Sequence, residues 1–204
     1  AKTYTTVIRD YPKAKILGVT ATPCRLTKHG FTDIFDILLQ SWTTNRFIAE
    51  ERLSLYDYYV CKNRTVRNKK TFAVLKKRGS DGDFSIREMS EKLDVRPSLQ
   101  RLCNTVLKYA ANKKGIVYAI DIDHAEHIAE FYSQHGIKSI VISSKTPDAE
   151  RKQLLKRFKD TDSCASGNIK SFDDIQVLVN VDLFSEGFDC PDVEFIQLAR
   201  PTLS

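Results

Sequence analysis

The sequence predicts an α/β fold in which a parallel sheet is covered by helices on both faces. From Pro97 onward, short apolar runs alternate with longer amphipathic segments, which is the order of elements in parallel-sheet proteins. The apolar runs are nearly continuous, which is typical of strands that are buried on both faces. The chain has 204 residues, of which 42% are hydrophobic, and is therefore long enough to bury a sizeable core.

Each element predicted after residue 96 has a signal of its own. Helix 97–112 begins with proline, which the first helical turn favours. The next helix ends at Gly136, as helix C-termini often do, and Thr146 is a candidate cap for the third helix. The predicted helices cover 97–112, 123–136 and 147–159, and the predicted strands cover 115–120, 138–143, 175–181 and 193–199.

The first part of the chain has fewer elements. Residues 14–22 (AKILGVTAT) form an apolar run closed by Thr-Pro, which predicts a buried strand. Residues 43–53 have helical spacing behind a threonine cap, residues 53–60 alternate like a strand, and Ser85 is a candidate cap for a later helix. Because about two strands cannot complete a sheet, we interpret residues 1–60 as the end of a preceding α/β domain.

Positive charge is concentrated in one stretch. Lys and Arg total 32 against 26 Asp and Glu, so the formal net charge is +6. Residues 61–80 alone contain eight Lys and Arg and no acidic residue. A local field of this kind attracts a polyanion such as nucleic acid, and the alternative interpretation is a solvated linker.

Composition excludes several classes of protein. No apolar run reaches the ~20 residues of a membrane helix, and the first residues do not resemble a secretory leader, so we expect neither a membrane protein nor a secreted one. The five cysteines are scattered and fit neither a zinc cluster nor a disulfide scaffold. We therefore expect reduced thiols and a cytoplasmic location.

No self-contained catalytic site is visible in the sequence. Neither GxxxxGKS/T nor GxGxxG occurs, so a complete phosphate-binding loop is not expected. His124 and His127 have a spacing that a metal site could use, but an exposed start of an amphipathic helix is the preferred interpretation, and no metal is expected. Cys24 follows a proline without an identifiable His or Asp partner, and we interpret it as a structural or incidental thiol.

The predicted sheet indicates where a ligand would bind. Ligands of open α/β sheets bind beyond the carboxyl ends of the strands. The expected working edge therefore consists of the loops after Ile120, Ser143, Val181 and Ala199.

Four segments, taken together and in order, resemble a known family. ILGVTATPCR resembles motif III of superfamily 2 helicases, GIVYAIDIDHAEHIAEFY resembles motif IV, and SSKTPDAERKQLLKRFK resembles the segment that follows motif IV. VLVNVDLFSEGFDCPDVEFIQLARPT resembles motif V. The wording of these motifs is similar to that of the DEAD/DEAH-related branch, which includes the motor subunits of restriction enzymes.

The resemblance implies a motor of two RecA-like lobes that binds ATP and Mg²⁺ between them and nucleic acid across both. It implies that the chain is a fragment: residues 1–60 are the end of lobe one, residues 61–96 a basic linker or insertion, and residues 97–204 lobe two, truncated before motif VI. The main ATP and Mg²⁺ ligands would then lie outside the chain, in the missing upstream lobe and motif VI. The parent is expected to be an ATP-dependent helicase, and this fragment alone is expected to be inactive.

Residues that match a family motif are expected to have the role that the motif has in the family. Motif III links the ATP site to nucleic-acid binding, and motif V faces both the nucleotide and the nucleic-acid backbone. The matching residues are Thr20, Ala21 and Thr22 for motif III, and Glu186, Gly187 and Asp189 for motif V.

Two further sets are expected to bind nucleic acid. One lies in the loop where motors of this family grip phosphates, and the other belongs to the basic stretch. They are Ser143, Ser144 and Lys145, and Lys69, Lys70, Lys76 and Lys77.

Three functional hypotheses remain open at this point. The leading one is a fragment of an ATP-dependent motor, with DNA preferred over RNA on the style of the motifs. The second is a non-enzymatic module that binds nucleic acid through the basic stretch. The third, a small-molecule enzyme on a flavodoxin-like sheet, requires an acid/base pair at the sheet edge, which the sequence does not indicate.

Overall fold

The computed structural model of the chain describes residues 2–20, 34–60, 75–80, 82–160, 174–184 and 187–203. The helices are α1 (Lys2–Asp10), α2 (Thr44–Ala49), α3 (Ile86–Leu93), α4 (Arg96–Tyr109), α5 (Ile122–Gln134) and α6 (Asp148–Asp160). The strands are β1 (Gly115–Tyr118), β2 (Ser139–Ile142), β3 (Val177–Asn180) and β4 (Phe195–Leu198). The chain divides into two units, residues 1–68 and 69–204. No described helix is long and apolar enough to cross a membrane.

The second unit contains the predicted parallel sheet. Its strand order is β2–β3–β1–β4, and every neighbouring pair is parallel. Gly115 of β1 lies in register with Val177 of β3 on one side and with Phe195 of β4 on the other. The α/β fold class is therefore confirmed.

Helices α4 and α5 cover one face of the sheet. Val117 and Val179 point to this face and pack with Ile128 and Tyr132 of α5 and Val106 of α4, all of them buried. Fully burying an apolar side chain of this size contributes about 1.5–3 kcal/mol, so this cluster is a main source of stability.

Helix α6 covers the opposite face. Ile116 and Leu178, which alternate with the valines along β1 and β3, pack with Ile142 and with the fully buried Phe158 of α6. Partly buried Phe184, from the connection between β3 and β4, completes this side. The connection after β3 therefore leaves the sheet on the face opposite to the one that α5 covers.

The helix ends confirm some sequence signals and correct others. Thr43 caps α2, because its hydroxyl accepts a hydrogen bond from the Arg46 amide. Ser85 occupies the cap position of α3 without a side-chain capping bond. The predicted capping role of Thr146 is wrong: its hydroxyl instead accepts from the Ser143 amide, at 3.0 Å, within the preceding loop.

The described residues of the first unit do not form the strands predicted for them. The described part of 14–22 ends at residue 20 and is not a strand, and neither is 53–60. Leu17 and Val19 are 86% and 91% exposed. A strand needs a neighbour for its backbone hydrogen bonds, and the described residues of this unit include no other strand to pair with.

The described residues between 75 and 95 contribute to the core of the second unit. Leu75, and Met89 and Leu93 of α3, form a buried cluster with Ile120, which follows β1, and Phe84 packs against them. The described part of the stretch interpreted as a linker thus covers the carboxyl end of β1 and contributes to the core.

Candidate functional site

The candidate site is built around the β3 turn, which we define as residues 181–184. Asn180 is fully buried; its side-chain amide donates to Val117 O at 3.1 Å, and its Oδ1 accepts from the Leu183 amide at 3.2 Å. The Tyr118 hydroxyl donates to Phe184 O at 2.8 Å. Side chains of β1 and β3 therefore fix the turn.

The topology gives this turn a functional position. β1 and β3 are neighbours, and the connection after β1 leads to one face of the sheet while the connection after β3 leads to the other. Strands whose connections part in this way leave a crevice at their carboxyl ends, where ligands of open α/β sheets bind. The β3 turn lies at the edge of the sheet where such a crevice is expected.

Two predicted motif V residues follow the turn. Gly187 is exposed and has φ +70°, in the left-handed region that glycine adopts without steric cost. Asp189 is also exposed, and no described group donates a hydrogen bond to its carboxylate. Both are accessible to a ligand. Glu186 lies outside the described residues.

The second loop at this edge is the β2 loop, which we define as residues 143–146. Ser143 is buried, and its hydroxyl accepts from the Lys145 amide at 3.2 Å, so it fixes the loop. Arg151 of α6 donates to Ser143 O and Thr146 O at 3.3 and 3.1 Å. Ser144 and Lys145 are exposed, so of the three predicted residues these two are accessible to a ligand.

The carboxylate of Glu88 holds the backbone of the described lysines of the basic stretch. The amides of Lys76 and Lys77 donate to Glu88 Oε2 at 2.9 and 2.7 Å, and Lys92 Nζ lies 2.6 Å from the other oxygen. The hydrogen bonds from Lys92 and from the two amides hold the pKa of Glu88 below its ordinary value. Both lysine side chains point into solvent, whereas Lys69 and Lys70 lie outside the described residues.

Asp83 links this segment to the end of the chain. Its buried carboxylate accepts from the Thr202 hydroxyl at 2.8 Å and from the Leu203 amide at 2.9 Å, and lies 3.5 Å from Arg200. Arg200 also donates to Asp182 Oδ2 in the β3 turn at 2.7 Å. The connection thus runs from Asp83 to the candidate site.

The His124 and His127 pair is not arranged as a metal site. His124 is buried, contrary to the expected exposed helix start, and its Nδ1 accepts from the Ile120 amide at 3.2 Å. His127 pairs with Asp94 at 2.7 Å. Burial lowers the pKa of His124, and the Asp94 hydrogen bond raises the pKa of His127. Among the described residues no cluster of His, Cys, Asp and Glu could hold a metal.

The motif III positions are only partly described. Thr20 is exposed in the first unit, and Ala21 and Thr22 lie outside the described residues. At the sheet edge, sequence reasoning missed the residues that organise the loops: Asp83, Arg151, Asp182 and Arg200. No local pattern marks them, because each acts through a partner distant in sequence or through a backbone carbonyl.

Comparison with known families identifies the second unit. Residues 97–203 match the helicase conserved C-terminal domain. The match covers more than half of the 204 residues, and the chain belongs to this family. The resemblance to superfamily 2 helicases is therefore confirmed.

Three curated proteins are similar to this chain in sequence. The chain is 32% identical over its whole length to a "51.5 kDa protein" of a Lactococcus phage (isolate 7-9). It is 22% identical over 94% of its length to "Putative ATP-dependent helicase IRC3" of Saccharomyces cerevisiae, and 27% identical over 52% to "UvrABC system protein B" of Thermosipho africanus. The chain spans 40%, 26% and 15% of these relatives.

Proposed function

We propose that this chain is part of an ATP-dependent nucleic-acid helicase or translocase that acts on DNA in the cytoplasm. The observation that carries the proposal is that the helicase C-terminal match covers the strands whose carboxyl ends hold the β3 turn and the β2 loop. One relative is named an ATP-dependent helicase. Two loops at one sheet edge, with Gly187, Ser144 and Lys145 exposed, suit the binding of a phosphate backbone.

In this proposal residues 97–204 are the second RecA-like lobe, residues 1–60 end the first, and residues 61–96 connect them. ATP and Mg²⁺ bind mainly to residues outside these 204, because phosphoryl transfer needs a phosphate cradle, metal ligands and a charge-stabilising cation. Gly187 and Asp189 then contribute to the nucleotide side of the cleft.

A second candidate function is a non-enzymatic module that binds nucleic acid. The observation that favours it is the exposure of Lys76 and Lys77, whose backbone is fixed by Glu88. Because the backbone at these lysines is already fixed, only their side chains lose freedom when they bind phosphates, and their charge supports affinity.

One observation and one assay separate the two candidates. The coding sequence on either side of these residues should contain GxxxxGKS/T upstream and QxxGRxxR downstream. The full-length product should then hydrolyse ATP faster when single-stranded or duplex DNA is added, and RNA should stimulate it less. Tight DNA binding without ATP turnover would favour the non-enzymatic module, and stronger stimulation by RNA would contradict the preference for DNA.

A further inference from the structure

We propose that Asp83 is a positioning residue for the β3 turn, which it fixes through Arg200. This inference rests on the proposed function for its consequence, because the β3 turn lies at the edge where the proposed ligand crevice is expected. Asp83 lies outside every helicase motif recognised in the sequence and outside the matched domain, which begins at residue 97.

First, Asp83 holds the residues that follow β4. The side chain of Asp83 is buried, and it accepts hydrogen bonds from the Thr202 hydroxyl and the Leu203 amide. A buried carboxylate needs such donors, because an unpaired charge away from water is costly. Residues 200–203 are therefore tied to the segment that precedes α3.

The second step is the orientation of Arg200. Its side chain is only 18% exposed, and its guanidinium lies between two carboxylates, 3.5 Å from Asp83 and 2.7 Å from Asp182. In the sheet, β1 lies between β3 and β4. Arg200 follows β4 and Asp182 follows β3, so this side chain spans the carboxyl end of β1, and Asp83 fixes its direction by holding one side of the guanidinium.

The third step is the shape of the turn. Asp182 has φ +52°, in the left-handed region that non-glycine residues adopt at a cost. An ion pair that holds its side chain offsets part of that cost. Loss of Arg200 or of its orientation should therefore loosen the turn and weaken the hydrogen bond that the Leu183 amide donates to Asn180.

Hydrogen exchange of the 204-residue chain tests this directly. In Asp83→Asn, the amide of Leu183, which donates to Asn180, should exchange about tenfold faster, because the charge that holds Arg200 in place is removed. Core amides of β1 and β3 should keep their rates. Glu91→Gln, which removes an exposed carboxylate of α3 that pairs with Arg87, is the matched control and should change nothing in the turn.

A double-mutant cycle separates positioning from general stabilisation. If Asp83 acts through Arg200, Asp83→Asn should add nothing to the exchange of the turn in an Arg200→Gln background. Additive effects would overturn the proposal. If Asp83→Asn does not fold, Asp182→Asn tests whether Arg200 fixes the turn. This variant removes only the exposed carboxylate beside Arg200, and asparagine tolerates the same φ. Unchanged exchange in that variant would also overturn the proposal.

Binding of a fluorescein-labelled 20-nucleotide oligo(dT) tests the consequence for ligands. Asp83→Asn should weaken binding several-fold, and Glu91→Gln should not. Faster exchange with unchanged affinity would overturn the link between the turn and the ligand. A wild-type chain that does not bind the oligonucleotide would contradict the proposed function, while the exchange data would still decide the positioning role.

Discussion

At the scale of single residues, two acidic side chains of the segment 75–95 act as acceptors, Glu88 for its own segment and Asp83 for the residues after β4. Glu88 accepts hydrogen bonds from two backbone amides and a lysine, and Asp83 accepts them from two residues after β4. Burial alone raises the pKa of Asp83, but hydrogen bonds from Phe84, Thr202 and Leu203 and the charge of Arg200 hold it below its ordinary value. These acceptors work only as carboxylates.

Acid should therefore destabilise the second unit through Asp83. Because its pKa is lower in the folded state than the reference value of 3.8, its contribution is present above that value and is lost as the pH falls through the folded pKa. Urea unfolding between pH 7 and pH 2 should show a smaller acid loss for Asp83→Asn than for the wild type. Glu91→Gln is the control, and an equally steep loss in Asp83→Asn would contradict the assignment.

Gly187 and Asp189 should matter more for function than for stability. An added Cβ at Gly187 meets no atom within 4 Å, so Gly187→Ala should cost only the ~1 kcal/mol of a left-handed alanine. Asp189 is exposed, and Asp189→Ala should change the free energy of unfolding by less than about 0.5 kcal/mol. In the full-length protein both changes should lower DNA-stimulated ATP turnover. Normal turnover with a lowered melting temperature would assign Asp189 to structure.

At the scale of elements, the residues around α3 combine a buried side with a basic surface. Met89 and Leu93 face the core, while Lys76 and Lys77 are exposed on the chain that Glu88 holds. The helix thus fixes two of the lysines that the sequence assigns to nucleic-acid binding.

Replacing Lys69, Lys70, Lys76 and Lys77 together with Gln should flatten the salt dependence of oligonucleotide binding. Each phosphate of a single strand that the variant no longer neutralises should reduce the log–log slope by about 0.7. Fluorescence anisotropy at several salt concentrations measures the slope. The matched control removes the same charge from four exposed lysines elsewhere in the chain, which are Lys108, Lys113, Lys152 and Lys156. A slope that is unchanged, or changed equally by the control, would refute a specific role.

At the scale of the whole molecule, the sheet and its three buried clusters lie within residues 69–204. One of these clusters depends on residues before the matched domain, because Leu75, Met89 and Leu93 pack around Ile120. The structural unit is therefore longer at its start than the helicase match.

A truncated polypeptide of residues 69–204 should fold cooperatively, and one of residues 97–204 should be less stable by several kcal/mol. The shorter form lacks three buried apolar side chains, and removing even one Leu or Met side chain costs about 2–5 kcal/mol. It also lacks Asp83. Urea denaturation followed by circular dichroism compares the two forms, and equal midpoints would show that residues 69–96 contribute nothing to the fold.

The chain by itself should not hydrolyse ATP. Turnover requires the phosphates to be cradled, Mg²⁺ to be coordinated and transition-state charge to be met by a cation, and GxxxxGKS/T does not occur in these residues. Loss of an arginine finger alone lowers the rate by about 10³–10⁵. A phosphate-release assay with saturating ATP, Mg²⁺ and DNA should match the blank. Turnover that survives repurification would direct attention to Asp121, Asp123, Glu186 and Asp189.

Part of the candidate site follows from the sequence. The sequence predicts the loops after Ser143 and Val181 at the working edge because parallel strands end at the same edge of a sheet, and the structure places both there. The same rule predicts an equally open loop after Ile120, but α3 covers it, and Ser90 donates a hydrogen bond to Asp121. That packing depends on how a separate segment folds back, which residue spacing does not encode.

The sequence by itself determined the four strands, the helices between them and the family, because apolar continuity and helical periodicity are local signals. Only the tertiary structure decided which polar residues organise the sheet edge. Asp83 meets Thr202 and Leu203 at separations of 119 and 120 residues, and no local pattern encodes such a contact. The same reason explains the failed strand at residues 14–20: its apolar run satisfies the local rule, but a strand forms only where a neighbouring strand accepts its hydrogen bonds.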